Sequence, residues 1–253
     1  MRHTLQKHFS AIGAHLEVRP GPDNVDYRFD IVRDRRSEYF ELRGSRLDEL
    51  VVQHVDRHAR HILLRGLNRQ VTQENGTTKS TLSRFLCGHD ERHWFVAGIA
   101  DPVATVRDAK LSLAPAAIRE AVARERHRDR RHNDVFIRQG EWFFVPAMPP
   151  VRTVILRNEP IRRGRGKPHF CEEVIRHGGV TVRLYQGREL GEAEFAELVA
   201  KNRRLPYRQM VRDAAVYARG RVRHDDHATI VLEGWHRIYL NGESFTEHVA
   251  FYD

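Results

Sequence analysis

Short runs of β-branched and aromatic residues recur along this chain, each broken by a tight polar tip, and that rhythm limits the fold more than any other feature. YRFDIVRDRRSEYFEL, residues 27–42, turns at Asp34-Arg35-Arg36-Ser37, and STLSRFLCG and HWFVAGI flank His89-Asp90-Glu91-Arg92. DVFIRQ and WFFVPA are joined by Gly140-Glu141, the glycine-first pair that a two-residue type II′ loop takes. HFCEEVIR and VTVRLYQG read as a hairpin turning at Gly178-Gly179, and VYARGRVRHDDHATIVLEGWHRIYL as a long closing one. Helical patterns fall between the pairs. One opens the chain with Leu5, Phe9 and Ile12 inward; others start at Asp101-Pro102, after Pro115, at Leu190 and after Pro206. Sequential hairpins with helices between them imply an α+β fold built on antiparallel sheets, not a doubly wound parallel one.

The densest stretch is Ser45 to Leu67, SRLDELVVQHVDRHARHILLRGL. Ser45 and Asp48 resemble a helix N-cap and its first-turn carboxylate, and Leu47, Leu50, Val51, Val55 and Ile62 recur at helical spacing. This pattern predicts a helix over 45–67 with His54, His58 and His61 on or beside its apolar face. Histidines one turn apart can share a metal ion or act as acid–base groups on a phosphodiester. No glutamate follows the first histidine, so the metalloprotease version of that motif fails. A metal here, a divalent ion, would need ligands from elsewhere, and the tip residues His89, Asp90 and His93 are the candidates. The plainer reading leaves the three histidines at the edge of the core.

Cysteine bounds the compartment. Only Cys87 and Cys171 occur, too few for a disulfide framework, and the opening MRHTLQKHFSAIGAHLEV lacks the apolar core of a signal peptide. The expectation is a cytoplasmic protein with no membrane partner. Cys87-x-His89 and His169-x-Cys171 form mirrored pairs that two hairpins could bring together as a zinc set, although the one-residue gap is not knuckle spacing. Two buried free thiols are the simpler expectation.

Charge points to partners. The net charge is +9, carried by 38 arginines and 5 lysines. Arginine's planar fork suits phosphate, though a GC-rich genome gives the same bias. Residues 152–167 hold six basic residues against one acidic, and residues 201–223 eight against one. Arg162, Arg163, Arg165 and Lys167 lie in the glycine-spaced RRGRGK, where the backbone can approach phosphates closely. Strand parity puts Arg219, Arg221 and Arg223 on one face. Matching apolar residues across the hairpin selects a three-residue tip, His224-Asp225-Asp226, with Val222 opposite Ala228. Tyr207, Tyr217, Trp235 and Tyr239 are available for stacking.

GTTKS at 76–80 lacks the first glycine of a P-loop and is followed by a strand pattern; no Rossmann, EF-hand or G-x-S-x-G motif occurs. Three function classes follow. The first is a cytoplasmic nucleic-acid-binding protein, DNA or RNA unresolved, that contacts phosphates through its arginine-rich loop and strand. The second is a metal- or histidine-dependent phosphodiesterase or nuclease, the third a scaffold for an acidic protein partner. Whether the chain is an enzyme is not decided by its sequence. Pro146, Pro149 and Pro150 suggest two subdomains, 1–150 with the histidine stretch and a basic, hairpin-rich 151–253, unless both form one domain. CGHDERHWFV and VRHDDHATIV echo each other at two hairpin tips.

Overall fold

Leu5, Phe9 and Ile12 do face inward, from α1 (Arg2–Ala11) and the turn that ends it. The computed structural model describes residues 2–21, 26–35, 37–71, 78–123, 125, 130–150, 154–163, 166–202 and 204–242. After α1 come β1 (Leu16–Pro20), β2 (Arg28–Arg33), β3 (Glu38–Gly44), β4 (Val51–Asp56), β5 (His61–Val71), β6 (Thr78–Asp90) and β7 (His93–Ile99). Next are α2 (Val106–Ser112), α3 (Ala116–Ala123), β8 (Ile137–Gln139), β9 (Trp142–Pro146), β10 (Leu156–Ile161) and β11 (His169–His177). The chain continues with β12 (Val180–Tyr185), β13 (Arg188–Leu190), α4 (Glu192–Lys201), β14 (Arg208–Arg212), β15 (Ala215–Arg223) and β16 (Ile230–Leu240). The fold is α+β, as the hairpin rhythm implies. Among the described strands only β1 and β3 pair in parallel.

The expected helix over 45–67 is not there. A single 3₁₀ turn, Leu47–Glu49, leads into β4, and β4 and β5 form a hairpin with Asp56 opposite His61. The reason lies in β5. It is a central strand of the sheet β4-β5-β6-β7, and Ile62, Leu63 and Leu64 are all fully buried. Ile62 and Leu64 pack with Phe9, Phe29, Phe40 and Phe85 beneath α1 and the β1-β3-β2 sheet. Leu63 points the other way, against Val106, Ala109 and Leu113 of and just after α2. A strand covered on both faces reads as a continuous apolar run, which periodicity cannot tell from a buried helix. Burial contributes roughly 1.5–3 kcal/mol for each such side chain before chain entropy is subtracted. Val51, Val52, Val55 and Ile62 are β-branched and favour the strand.

The second half is organised by one six-stranded sheet, β10-β11-β15-β16-β9-β8. Its strands β8 and β9 come from before residue 150, and β9 pairs with β16, so hydrogen bonds cross the expected subdomain boundary. Cys171, Val174, Ala218, Val222, Leu232 and Phe144 form its main core. On the opposite side of β9, Phe143 packs with Ile118 and Val122 of α3 and with Phe136.

β11 does not pair with β12, as the HGG turn suggested; it pairs with β15, His177 opposite Ala215. Between them the chain leaves the sheet at Gly178-Gly179 and makes a separate one, β13-β12-β14, with α4. Residues after Pro206 enter β14 and not a helix, because Arg208–Arg212 hydrogen-bond along β12. α2 starts later than Asp101-Pro102, at Thr105, whose hydroxyl oxygen accepts the Asp108 N–H at 3.1 Å. β5 runs to Val71 and β6 begins at Thr78; residues 72–77 between them lie outside the described residues.

Candidate functional site

Two hairpin tips meet. Asp90 pairs with His93, leaving Glu91 and Arg92 as the β6–β7 turn, with Glu91 in the left-handed region at φ 44°. The β15–β16 tip is wider than the expected three residues. Val222 faces Ile230 where Ala228 was expected, and Gly220 faces Leu232, so the pairing is displaced by two residues and residues 224–229 link the strands. The change of two residues preserves parity, which keeps Val222 and Leu232 buried and Arg221 and Arg223 exposed. Glu91 Oε2 accepts the backbone N–H of Ala228 and lies 3.1 Å from His227 Nδ1. Arg92 Nη1 donates to the Asp225 carbonyl at 3.2 Å, and His93 Nε2 is 3.6 Å from Asp226 Oδ1. The two segments that echo each other in sequence are in contact here.

Behind this junction lie three histidines. His169 opens β11, and Phe170 beside it pairs with Arg223 at the end of β15, which brings His224 and His227 over the His169 ring. His169 and His224 stack with centroids 4.1 Å apart at 24°. His224 and His227 stand 4.7 Å apart at 30°, and His169 and His227 5.5 Å apart at 24°. One ring nitrogen from each lies within 4.8 Å of the others, the only such group of three or more His, Cys, Asp or Glu ligands among the described residues.

His169 is 1% exposed, and neither Nδ1 nor Nε2 has a hydrogen-bond partner. Burial, with His224 and His227 adding to it, lowers its pKa to about 3, so the ring is neutral. Burial, then His227, also lowers His224. His224 Nδ1 accepts the Asp226 N–H at 3.1 Å, and the ring bonds the Lys167 backbone. A Cβ on Gly140, in the β8–β9 turn, would lie 2.9 Å from His227 Nε2 and 3.5 Å from His169 Nε2. Both Nε2 atoms therefore converge under that glycine. The arrangement offers three imidazole donors, one of them oriented by a carboxylate, and no thiolate, which suits a borderline divalent metal.

The structure separates the histidines expected to act together. His54 is exposed on β4 and its Nδ1 accepts the Val106 N–H at 3.4 Å; His58 is exposed in the β4–β5 turn. His61 is buried, bonds the Ala59 carbonyl and has its pKa lowered to about 4 by burial. His89 meets the Trp94 ring edge-on at 4.8 Å, Asp90 pairs with Arg131, and His93 lies 2.9 Å from Glu38. Cys87 and Cys171 are buried in different cores, and burial raises both, Cys171 to about 12. The mirrored Cys/His set does not assemble, yet its His169 enters the three-histidine cluster.

The basic residues are more engaged than strand parity implies. Arg219 pairs with Glu173 at 2.5 Å and lies over the Trp235 ring; Arg221 pairs with Glu172 at 3.2 Å. Arg223 donates to Asn158 Oδ1 at 2.6 Å, Arg163 to Asn241 Oδ1 at 3.0 Å, and Lys167 reaches Asp226 at 2.7 Å. Arg162 is exposed, and Arg165 lies outside the described residues. Parity carries no information about the neighbouring strand, and β11 supplies the glutamates. At the end of α4 and in the segment after it, by contrast, Lys201, Arg204 and Arg208 are exposed and make no ion pair among the described residues.

Comparison with protein-family models, with curated proteins and with solved structures gives no match. Among the described residues no helix is long and apolar enough to cross a membrane.

Proposed function

We propose that this protein binds nucleic acid, using the segment that runs from the end of α4 through β14 as its main phosphate-contacting surface. The observation that carries the reading is the exposure of unpaired cations there. Lys201, Arg204 and Arg208 face solvent without ion pairs among the described residues, and every residue of β14 is exposed. Tyr207, 41% exposed and edge-on to Phe195, places an aromatic ring among them. Cations track a phosphate backbone and aromatic rings stack on unpaired bases, the combination by which single strands are held. Arg162 adds a further exposed cation, while Arg219, Arg221 and Arg223 are held by Glu173, Glu172 and Asn158.

Binding of a labelled single-stranded oligonucleotide over a salt series tests the reading. Affinity should fall steeply as salt rises, and Arg204→Glu with Arg208→Glu should weaken binding at low salt about tenfold or more and flatten the salt slope. Absence of binding at low salt, or binding indifferent to both substitutions, removes the proposal. A scaffold for an acidic protein would instead retain its partner after nuclease treatment. A hydrolytic function would rest on His169, His224 and His227, since His54, His58 and His61 diverge.

A further inference from the structure

We propose that His169, His224 and His227 hold one divalent ion of the zinc class, and that Glu91 orients the His227 ring for it from the opposite hairpin tip. Three observations meet at this point.

The first is that His169 is almost fully buried with both ring nitrogens bare. An unsatisfied buried polar group costs about 1–3 kcal/mol, and native structures rarely tolerate one without a use. A coordinated ion supplies a partner for one of the two, Nε2, which faces His227 Nε2 under Gly140. The second is proximity: ligand nitrogens of the three rings already lie within 4.8 Å of one another. Zinc–nitrogen bonds of about 2.0–2.1 Å in a tetrahedral site put ligand nitrogens about 3.4 Å apart. The ion therefore draws the rings inward by about an ångström from the stack seen without it.

The third observation is orientation. Glu91 Oε2 stands 3.1 Å from His227 Nδ1 and takes that N–H, so Nε2 is left with its lone pair on the side of His169 Nε2, beneath Gly140. A carboxylate on the far nitrogen of a metal-binding histidine fixes the tautomer and strengthens the ligand. His224 pays the one local cost, since its bonds with the Asp226 N–H and the Lys167 backbone compete with ligation.

Three imidazoles without a thiolate match zinc, and also nickel and copper, in donor type; calcium and magnesium want oxygen ligands. Three protein ligands leave a fourth position for water or a substrate atom, the arrangement of catalytic rather than structural zinc. The ligands come from β11 and the β15–β16 tip and the orienting carboxylate from the β6–β7 tip, so the ion also braces the contact between the two halves.

The test uses the full chain, stripped with a chelator and titrated with Zn²⁺ against a chromogenic competitor, then with Co²⁺ as a spectroscopic probe. One equivalent should bind, and the cobalt form should show tetrahedral d–d bands without a thiolate charge-transfer band. Glu91→Gln should keep the stoichiometry and weaken affinity about 10–100-fold. His224→Ala, at a partly exposed position, should abolish tight binding, while His54→Ala should leave it unchanged. His169→Gln is a further test wherever circular dichroism shows native fold. Lack of a tight site in the wild-type chain overturns the proposal, as does a thiolate band or binding indifferent to His224→Ala.

Discussion

Glu91 and His227 are 136 residues apart in sequence, yet the Glu91 carboxylate takes both the His227 Nδ1–H and the Ala228 backbone N–H at 3.1 Å. One side chain thus closes two donors of the facing tip, and Arg131 holds its other oxygen. Glu91→Ala removes the acceptor of both donors at a junction that solvent reaches. The expected loss is about 1–2 kcal/mol in urea denaturation of the metal-free protein. Glu91→Gln, which keeps an acceptor oxygen, should recover about half. Equal stability of all three proteins would mean that water replaces Glu91 without loss.

Leu63 is the residue that most directly separates the sheet from the helix expected over 45–67. It is fully buried against α2 while its neighbours Ile62 and Leu64 are buried on the opposite face. Leu63→Ala should cost about 3 kcal/mol through lost burial and the cavity left behind. Val51→Ala, at a 45% exposed position on β4, should stay within about 0.5 kcal/mol. Chemical denaturation of the pair decides between two covered faces and one.

What the sequence reveals differs between the fold and the site. Hairpins with polar tips, 27–42, 84–99 and 137–146, are local objects, and alternation plus a turn pair specifies them without knowledge of the rest. β5 defeated periodicity because its burial on both faces depends on α1 and α2, which no local pattern reports. β11 defeated it differently. Gly178-Gly179 is good turn chemistry, but the true partner, β15, follows a whole intervening sheet. The site shares this non-local character. His169 attracted notice for its spacing to Cys171, and His224 and His227 only as tip residues; their convergence follows from the β11–β15 pairing. The resemblance between the two tips was the one local hint, and its meaning lay in their contact.

Acid should destabilise this protein partly through His61. An exposed histidine titrates near 6.5, whereas burial beside Phe95, with Lys110 and Arg138 opposing a second positive charge, holds His61 at about 4. Between those values the unfolded chain binds the proton and the folded chain does not. Stability therefore falls as pH drops from about 6.5 towards 4 and levels off below, a difference of about 3 kcal/mol from this residue. His61→Asn keeps a donor for the Ala59 carbonyl and removes the titration. Its stability should change less between pH 7 and 4 than that of the wild type by about that amount. Parallel curves would assign the acid limb to other groups, with His169 the first to examine.

Gly140 separates backbone strain from crowding of the histidines. Its φ is 56°, and an added Cβ would stand 2.9 Å from His227 Nε2. Gly187 has φ 79°, with nothing within 4 Å of the same hypothetical atom. Alanine at either position carries the left-handed penalty of about 1–2 kcal/mol. Only at Gly140 must an imidazole also give way, and the ring that moves is the one held by Glu91. Gly140→Ala should therefore be more destabilising than Gly187→Ala by about 1 kcal/mol in thermal or urea unfolding. It should also weaken zinc binding, which Gly187→Ala leaves unchanged. Equal stability losses with equal zinc affinities would show that the His227 ring turns aside freely, and that Gly140 serves the β8–β9 turn alone.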